Sequence, residues 1–317
     1  MNATERSIFE QFAYWRSAPL PDVPSNRDVL RAVVGCGTSY NLSLSIAASL
    51  TARGLQAIAV PGSEWWHHAS AYAGAGRAVE VLALSRSGES TETVEAARRS
   101  RAAGLKVTAL TCAAGSALTR HADTVLYAPT HADEGIVMTA SASLMLLLGL
   151  RLAGVPIGPE VIAAAESLLA RADREATALL QGRSHFVFLG AGSLYGVAQE
   201  GGLKLQEMSL SFTQAYHSLE YRHGPIALAD ERTLVVLLYS PDTQAEEAKL
   251  ARELLANGAR VLGLGGPGSV ELEIGGDAAA RPLVCLPALQ VLGERQAQLK
   301  SLDSRAPRHL SKVVLLG

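Results

Sequence analysis

Side chains that can move protons lie close together in the segment "QEGGLKLQEMSLSFTQAYHSLEYRHGP". Lys204 and Glu207 are three residues apart, which places them on one face of the helix predicted after Gly192. Glu220 and His223 repeat this spacing further along the chain. A carboxylate or an imidazole can carry a proton, and an ammonium group can stabilise developing negative charge. The segment therefore predicts general acid-base chemistry.

Each of these pairs also has an ordinary structural interpretation. Lys204 and Glu207 could form an ion pair on a helix surface. His223 precedes "GP" and could cap the end of a helix. For one isolated pair the structural interpretation would be favoured, whereas the combination of two carboxylates, a lysine and a histidine favours a catalytic site.

A second segment, "LSRSGESTETVEAARRS", carries several hydroxyl side chains around one glycine. It lies between an apolar run typical of a strand and a helical pattern, where open α/β sheets bind ligands. Gly88 would let the backbone approach a ligand closely, and the first N–H groups of the next helix favour an anion. Ser85, Ser87, Ser90 and Thr93 would add neutral donors, which predicts a phosphorylated small molecule as the ligand.

The hydroxyl groups could instead serve the backbone, with Ser90 or Thr93 capping the helix and Ser87 lying in a turn. The segment "GCGTS" favours the ligand site, because it is another loop between a strand and a helix and would bring Thr38 and Ser39 to the same crevice. Neither loop matches GxGxxG or GxxxxGK[ST], so nucleotide binding is disfavoured.

Alternating strand and helix patterns would position these loops. Apolar runs such as "VLRAVVG" and "AVEVLALS" alternate with helical stretches, which predicts parallel sheets covered by helices. The second half repeats the first: the segment "VFLGAGSL" is similar to "VVGCGTS", and its Gly190 lies 155 residues after the matching Gly35. We expect one α/β domain at residues 28–153 and another at 160–317, joined through "AGVPIGPE".

Composition indicates a soluble globular protein. Apolar residues make up 48% of the 317 residues, and the formal charge of −2 gives no broad reason to expect nucleic acid or an anionic membrane as a partner. The apolar segment "ASASLMLLLGL" is shorter than the ~20 residues of a membrane span, so it is predicted to be a buried helix. Three cysteines without CxxC spacing favour a reducing compartment, with the cytoplasm as the expected location.

Taken in order, "CGTSY", "SRSGESTET", "LKLQEMS", "SLEYRHGP" and "PRHLSK" resemble the tandem sugar isomerase (SIS) domains of glutamine:fructose-6-phosphate amidotransferase. They are equally similar to shorter relatives, the glucosamine-6-phosphate deaminases and the tagatose-6-phosphate ketose/aldose isomerases. The resemblance covers nearly the whole chain. It implies two tandem three-layer αβα domains, each with a doubly wound, mainly parallel sheet, and a homodimer with its active site at the subunit interface.

The resemblance also implies residue roles. Glu207 would shuttle the proton between C1 and C2, and Lys204 would stabilise the developing negative charge. His223, which the partner subunit supplies in relatives, would help to open the sugar ring, and Lys312 would match the tail lysine that reaches the sugar. The expected phosphate site consists of Thr38, Ser39, Ser85, Ser87, Ser90 and Thr93.

Three features depart from the family pattern. The first cysteine is Cys36, so we do not expect the glutaminase chemistry of the amidotransferases, which uses an N-terminal cysteine. Ala140 and Ser141 follow Thr139 where many relatives carry a lysine. Arg86 stands where the amidotransferases have glutamine.

These observations predict an enzyme that needs no metal and no cofactor and acts on a hexose 6-phosphate. The first choice is conversion of glucosamine 6-phosphate to fructose 6-phosphate and ammonia. The alternatives are an isomerase of another hexose phosphate, a fructosamine-6-phosphate deglycase, or a sugar-phosphate sensor without catalysis. A sensor needs the phosphate site but no proton shuttle, so the lysine, glutamate and histidine favour the enzyme.

Overall fold

A computed structural model describes residues 1–74 and 76–316 of the chain. The residues group into two units by their mutual contacts. The first unit comprises Glu10–Ile157 and the tail that begins at Leu310, and the second comprises Met1–Phe9 and Gly158–His309. The domain limits expected from the sequence, 28–153 and 160–317, stay a prediction.

The elements alternate as the sequence predicts. Up to the middle of the chain they are α1 (Ala3–Phe9), α2 (Gln11–Ser17), β1 (Leu30–Gly35), α3 (Thr38–Ala52), β2 (Ala57–Pro61), α4 (Gly62–Tyr72), β3 (Val79–Ser85), α5 (Thr91–Ala102), β4 (Lys106–Thr111), α6 (Ala117–Arg120), β5 (Thr124–Tyr127) and α7 (Ala140–Leu152). The later elements are α8 (Pro159–Leu180), β6 (His185–Gly190), α9 (Leu194–Ser209), β7 (Thr213–His217), β8 (Thr233–Leu238), α10 (Gln244–Ala256), β9 (Arg260–Leu264), β10 (Val270–Leu272) and α11 (Arg281–Leu299).

Each unit contains one five-stranded sheet, with the order β2-β1-β3-β4-β5 in the first and β10-β9-β8-β6-β7 in the second. All strand pairs are parallel. The two tandem αβα domains with parallel sheets that the sequence predicts are therefore confirmed. In the first sheet the connections leave β1 in opposite directions, so the ends of β1 and β3 mark the point where such sheets bind ligands.

The second sheet repeats the first. Read from its other edge, its order β7-β6-β8-β9-β10 matches β2-β1-β3-β4-β5 strand for strand. The first residues of β1 and β6, Leu30 and His185, lie 155 residues apart, the same separation as Gly35 and Gly190. The internal duplication expected from the sequence is thus present in the topology.

The segment "ASASLMLLLGL" lies in α7, where every residue except Arg151 is buried. A buried hydroxyl group is costly without a hydrogen bond. Ser143 of this helix has one, because Trp15 Nε1 donates to its Oγ at 2.8 Å. No helix in residues 1–74 and 76–316 combines the length and the apolar composition that a membrane crossing requires.

The sheet of the second unit has different helices on its two faces. Val187 and Leu189 of β6 pack in one hydrophobic cluster with Tyr221 and with Leu250 of α10. On the other face α9 packs so closely that a Cβ added at Gly201 would lie 2.8 Å from the ring of Phe188. The sheet therefore separates α9 from α10 and from the 3-10 helix Ser218–Arg222.

The loop after β8 has a carboxylate in its interior. Glu247 of α10 is buried, and its Oε2 accepts a hydrogen bond of 2.8 Å from the backbone N–H of Ser240. In the duplication Ser240 corresponds to Ser85, which precedes it by 155 residues. At the start of this loop the second copy therefore binds the carboxylate of Glu247, a side chain of the protein itself.

Glu247→Gln should change the pH dependence of stability. Burial raises the pKa of Glu247, and the hydrogen bond from Ser240 opposes this rise only in part. Because the folded-state pKa lies above that of the unfolded chain, the stability linked to the bound proton is complete below the unfolded pKa and is lost as pH rises through the folded one. We expect the free energy of unfolding of the variant, relative to wild type, to increase over the pH range above about 4.3, the ordinary pKa at which glutamate in the unfolded chain loses its proton.

Urea unfolding across this pH range measures the difference. Glu231→Gln, at an exposed position, serves as the matched control. A difference between Glu247→Gln and wild type that does not vary with pH would show that another group titrates.

Candidate functional site

Two helices of the first unit begin side by side at the ends of β1 and β3. Gly37, with a φ of 54°, leads into α3, and Gly88, with a φ of 65°, lies in the loop before α5. A side chain would be strained in this left-handed region, and a Cβ at Gly88 would also approach the Cβ of Ser116 to 2.5 Å. The glycines therefore let both loops turn sharply, with the N–H groups of α3 and α5 directed to the switch point, where they favour an anion.

A small cavity of about 50 Å³ opens at this point. Five of the six predicted phosphate ligands line it, and Thr38, the first residue of α3, is not among them. Among the described residues that line the cavity there are two cationic side chains and no carboxylate. The lining residues are Cys36, Ser39, Leu84, Ser85, Arg86, Ser87, Ser90, Thr93, Met138 and Lys312.

The hydroxyl groups are arranged to donate. Ser85 Oγ accepts from the N–H of Gly88 at 3.1 Å, and Ser87 Oγ accepts from the N–H of Glu89 at 3.2 Å. Each hydroxyl that accepts in this way still has its own proton to donate to a ligand. Ser90 occupies the N-cap position of α5, yet its side chain makes no capping hydrogen bond. The turn that the sequence allows at Ser87 is present, whereas helix capping by Ser90 is not.

The chain's tail reaches the same cavity. Lys312 Nζ donates a hydrogen bond of 3.0 Å to the carbonyl oxygen of Glu134. The Glu134 side chain is fixed in turn, because its Oε1 accepts from the N–H groups of Thr139 at 2.6 Å and Ser141 at 3.0 Å. The segment from Glu134 to Ser141, which lacks the lysine of many relatives, thus braces the start of α7 and holds the tail lysine.

In the second unit Lys204 lies between two carboxylates of α9. Its Nζ is 2.5 Å from Glu207 Oε2 and 3.3 Å from Glu200 Oε1. Lys204 and Glu200 have no exposed side-chain surface, whereas 20% of the Glu207 side chain is exposed. The pair is therefore not the surface ion pair that the sequence left open, and the carboxylate that meets solvent is that of Glu207.

Burial alone would lower the pKa of the Lys204 ammonium group. The charges of Glu200 and Glu207, together with their hydrogen bonds, outweigh burial and raise the pKa. Lys204 is thus held as a cation at neutral pH, which suits the stabilisation of a developing oxyanion.

Close packing of α9 against α11 keeps this group in place. A Cβ added at Gly293 of α11 would lie 2.9 Å from Met208 Sδ and 3.1 Å from the carbonyl oxygen of Lys204. Glycine at this position lets the two helix backbones approach each other beside the lysine. The lysine is therefore anchored by its backbone as well as by its two carboxylates.

Glu220 and His223 lie elsewhere in the same unit. They are exposed, and the backbone N–H of His223 bonds to Glu220 O at the end of the 3-10 helix Ser218–Arg222. That helix packs with α10, on the sheet face opposite α9. Gln206, next to Glu207, bonds to Thr213 at the start of β7, whereas His223 follows the end of that strand by six residues. This unit brings Lys204 to Glu207 but does not bring either to His223.

Two residues of these sites were not predicted from the sequence. Glu200 precedes Lys204 by four residues, which is the spacing of a helical ion pair, and this spacing was the available signal. Arg86 was noted without a role, and no signal in the sequence shows that its guanidinium bonds to the carbonyl oxygens of Gly135, Ile136 and Lys312.

Comparison with known proteins gives a consistent set of similarities. The family model for the SIS domain matches residues 31–153 and 179–270. A glutamine–fructose-6-phosphate aminotransferase (isomerizing) of Pyrobaculum aerophilum is 30% identical over 307 residues, which cover 89% of this chain and 50% of that protein. The chain spans about half the length of the curated relatives it matches.

Solved structures extend these similarities. The crystal structure of glucosamine-6-phosphate deaminase from Thermotoga maritima matches with a TM-score of 0.80 and 28% identity, over 99% of this chain and 100% of that one. Tagatose-6-phosphate ketose/aldose isomerase from Escherichia coli matches with a TM-score of 0.85 and 21% identity, over 96% of this chain and 94% of that one. At 21% identity, the similarity to the isomerase from Escherichia coli shows that the two proteins share a fold.

Proposed function

The chain belongs to the SIS domain family, and from that premise we propose that it is a phosphosugar isomerase that converts glucosamine 6-phosphate to fructose 6-phosphate and ammonia. The observation that carries this proposal is the buried Lys204 between Glu200 and Glu207, with Glu207 partly exposed. A protein that only senses a sugar phosphate needs no proton shuttle, so a cation beside a solvent-facing carboxylate favours the enzyme.

The small cavity at the ends of β1 and β3, which we call the hydroxyl cavity after the serine and threonine side chains that line it, would hold the phosphate group. Two helix N-termini, the hydroxyl protons of Ser85 and Ser87 and the cations Arg86 and Lys312 all favour a dianion. No carboxylate lies among the described lining residues to oppose it. The residue set expected from the sequence is kept in this proposal, with Thr38 contributing through the start of α3.

The reaction needs an open-chain sugar and one proton shuttle. The carboxylate of Glu207 would take the proton from C2, while the ammonium group of Lys204 stabilises the negative charge on the C1 oxygen. Return of that proton to C1, with transfer of an amine proton to the C1 oxygen, leaves a C2 ketimine. Water then adds to C2 and ammonia leaves, so that glucosamine 6-phosphate and water give fructose 6-phosphate and ammonia.

His223 would act in ring opening from a second copy of the chain. Within one chain the sheet of the second unit stands between His223 and Glu207, so this unit cannot bring the two together. We therefore propose a homodimer in which the imidazole of one subunit serves the Glu207 of the other. The homodimer and the cytoplasmic location are predictions that rest on the sequence.

Incubation with glucosamine 6-phosphate tests the function. The purified protein should release ammonia and fructose 6-phosphate in equal amounts without added metal or glutamine. A panel of other hexose phosphates extends the test. If the protein isomerises one of them and releases no ammonia, a ketose/aldose isomerase would be favoured. Binding of these sugars without turnover of any would favour the sensor and contradict the proposal.

A further inference from the structure

The guanidinium group of Arg86 joins segments that are far apart in the chain. Arg86 is 7% exposed, and its Nη1 donates to Gly135 O while its Nη2 donates to Ile136 O and to Lys312 O, each at 3.0 Å. The loop that carries the cavity hydroxyls, the segment before α7 and the C-terminal tail thus meet at one side chain. Arg86 also lines the cavity itself.

The tail depends on such bonds because it buries little apolar surface. Leu310, Val314, Leu315 and Leu316 are 42%, 53%, 70% and 53% exposed. A segment with few buried apolar contacts opens easily, so its position is set by its hydrogen bonds. Besides the bond from Arg86, the backbone N–H of Thr91 donates to Val314 O at 3.4 Å and that of Leu316 donates to Thr91 Oγ1 at 3.1 Å. Lys312 Nζ also donates to Glu134 O.

We propose that Arg86 is a positioning residue that fastens the C-terminal tail and so keeps Lys312 at the hydroxyl cavity. The inference rests on the proposed function for the role of Lys312, whereas the fastening of the tail is a property of the first unit alone. Arginine suits this task because its planar fork reaches several carbonyl oxygens at fixed angles. Lysine has one donor atom for the same acceptors, and glutamine has one uncharged amide nitrogen.

Hydrogen–deuterium exchange of the whole protein tests the fastening without any substrate. Arg86→Gln should increase the exchange rate of the amides of Leu316 and Thr91, whose hydrogen bonds join the tail to the start of α5, about tenfold, the effect of losing one charge-assisted bond. The amides of β1 and β3 should exchange as in wild type, which shows that the variant is folded. Arg98→Gln is the matched control, because Arg98 is exposed and pairs with Glu95 of its own helix.

Arg86→Lys separates fastening from charge. It keeps the cation at the cavity but has one donor atom, so it should release the tail as Arg86→Gln does. Unchanged exchange of the Leu316 and Thr91 amides in both variants would overturn the proposal, whichever sugar phosphate the enzyme uses.

A double-mutant cycle then tests the route to activity. If Arg86 acts through Lys312, Arg86→Gln should lower kcat severalfold in wild type and cause no further loss when Lys312 is already replaced by methionine. Additive losses, or a rise in KM alone, would show that Arg86 binds the phosphate directly instead. Absence of turnover with every hexose phosphate would count against the proposed function and leave the exchange result standing.

Discussion

Replacement of Glu207 by glutamine is expected to lower kcat by about 10²–10⁴-fold while leaving the binding of the sugar phosphate largely intact. The amide keeps the size of the side chain and can still contact Lys204, but it cannot accept the C2 proton. Ammonia release from glucosamine 6-phosphate measures kcat, and calorimetric titration of the inactive variant measures affinity. Equal losses of affinity and kcat would contradict the assigned role, because a group needed in the transition state should affect kcat most.

A mixture of variants extends this test to the proposed dimer. Glu207→Gln and His223→Ala should each be inactive alone, yet their coexpression would form mixed dimers with one intact pair of side chains. Random pairing would then recover roughly a quarter of the wild-type activity, because half of the dimers are mixed and each has one intact site of two. If Glu207 and His223 of the same chain acted together, coexpression would recover nothing.

Much of the fold could be predicted from the sequence because it depends on local patterns. Apolar runs of four to seven residues between turn residues indicate buried parallel strands, and the repeated "VVGCGTS" and "VFLGAGSL" indicate the duplication. The hydroxyl cavity was predictable for the same reason: a strand end, a glycine and a helix start are adjacent in sequence, so the ligand site is built from local segments.

The arrangement of Glu207 and His223 was not predictable in this way. They are sixteen residues apart, which suggests proximity. Between them β7 runs the length of the sheet, and the chain then continues on the opposite face, where Tyr221 packs against α10. Which face a connection takes depends on the topology of the whole sheet, and separation in sequence carries no information on it.

Arg86 and Glu200 show a second limit. The three carbonyl oxygens that Arg86 binds come from residues 135, 136 and 312, and backbone acceptors leave no trace in side-chain patterns. Glu200 has the spacing of an ordinary surface pair, and it is the packing of α9 against the sheet and α11 that buries it completely. Burial changes this pair from a solvated contact into part of a site.

Lys204→Met should have the largest effect on stability. The substitution removes the cation from between Glu200 and Glu207, and breaking a buried charge pair from one side costs about 3–5 kcal/mol. An exposed pair would cost at most about 1 kcal/mol, so urea unfolding distinguishes the buried group from a surface ion pair. Turnover should be lost as well, since nothing then stabilises the charge on the C1 oxygen.

A second substitution separates these two losses. Glu200→Gln in the Lys204→Met background removes the buried carboxylate that has lost its cation, so the double variant should recover a large part of the free energy of unfolding. It should recover no turnover, because the ammonium group is still missing. If turnover returned together with stability, Lys204 would have a structural role alone, and another cation would have to stabilise the oxyanion. If stability returned without turnover, the lysine would be required for the chemistry itself.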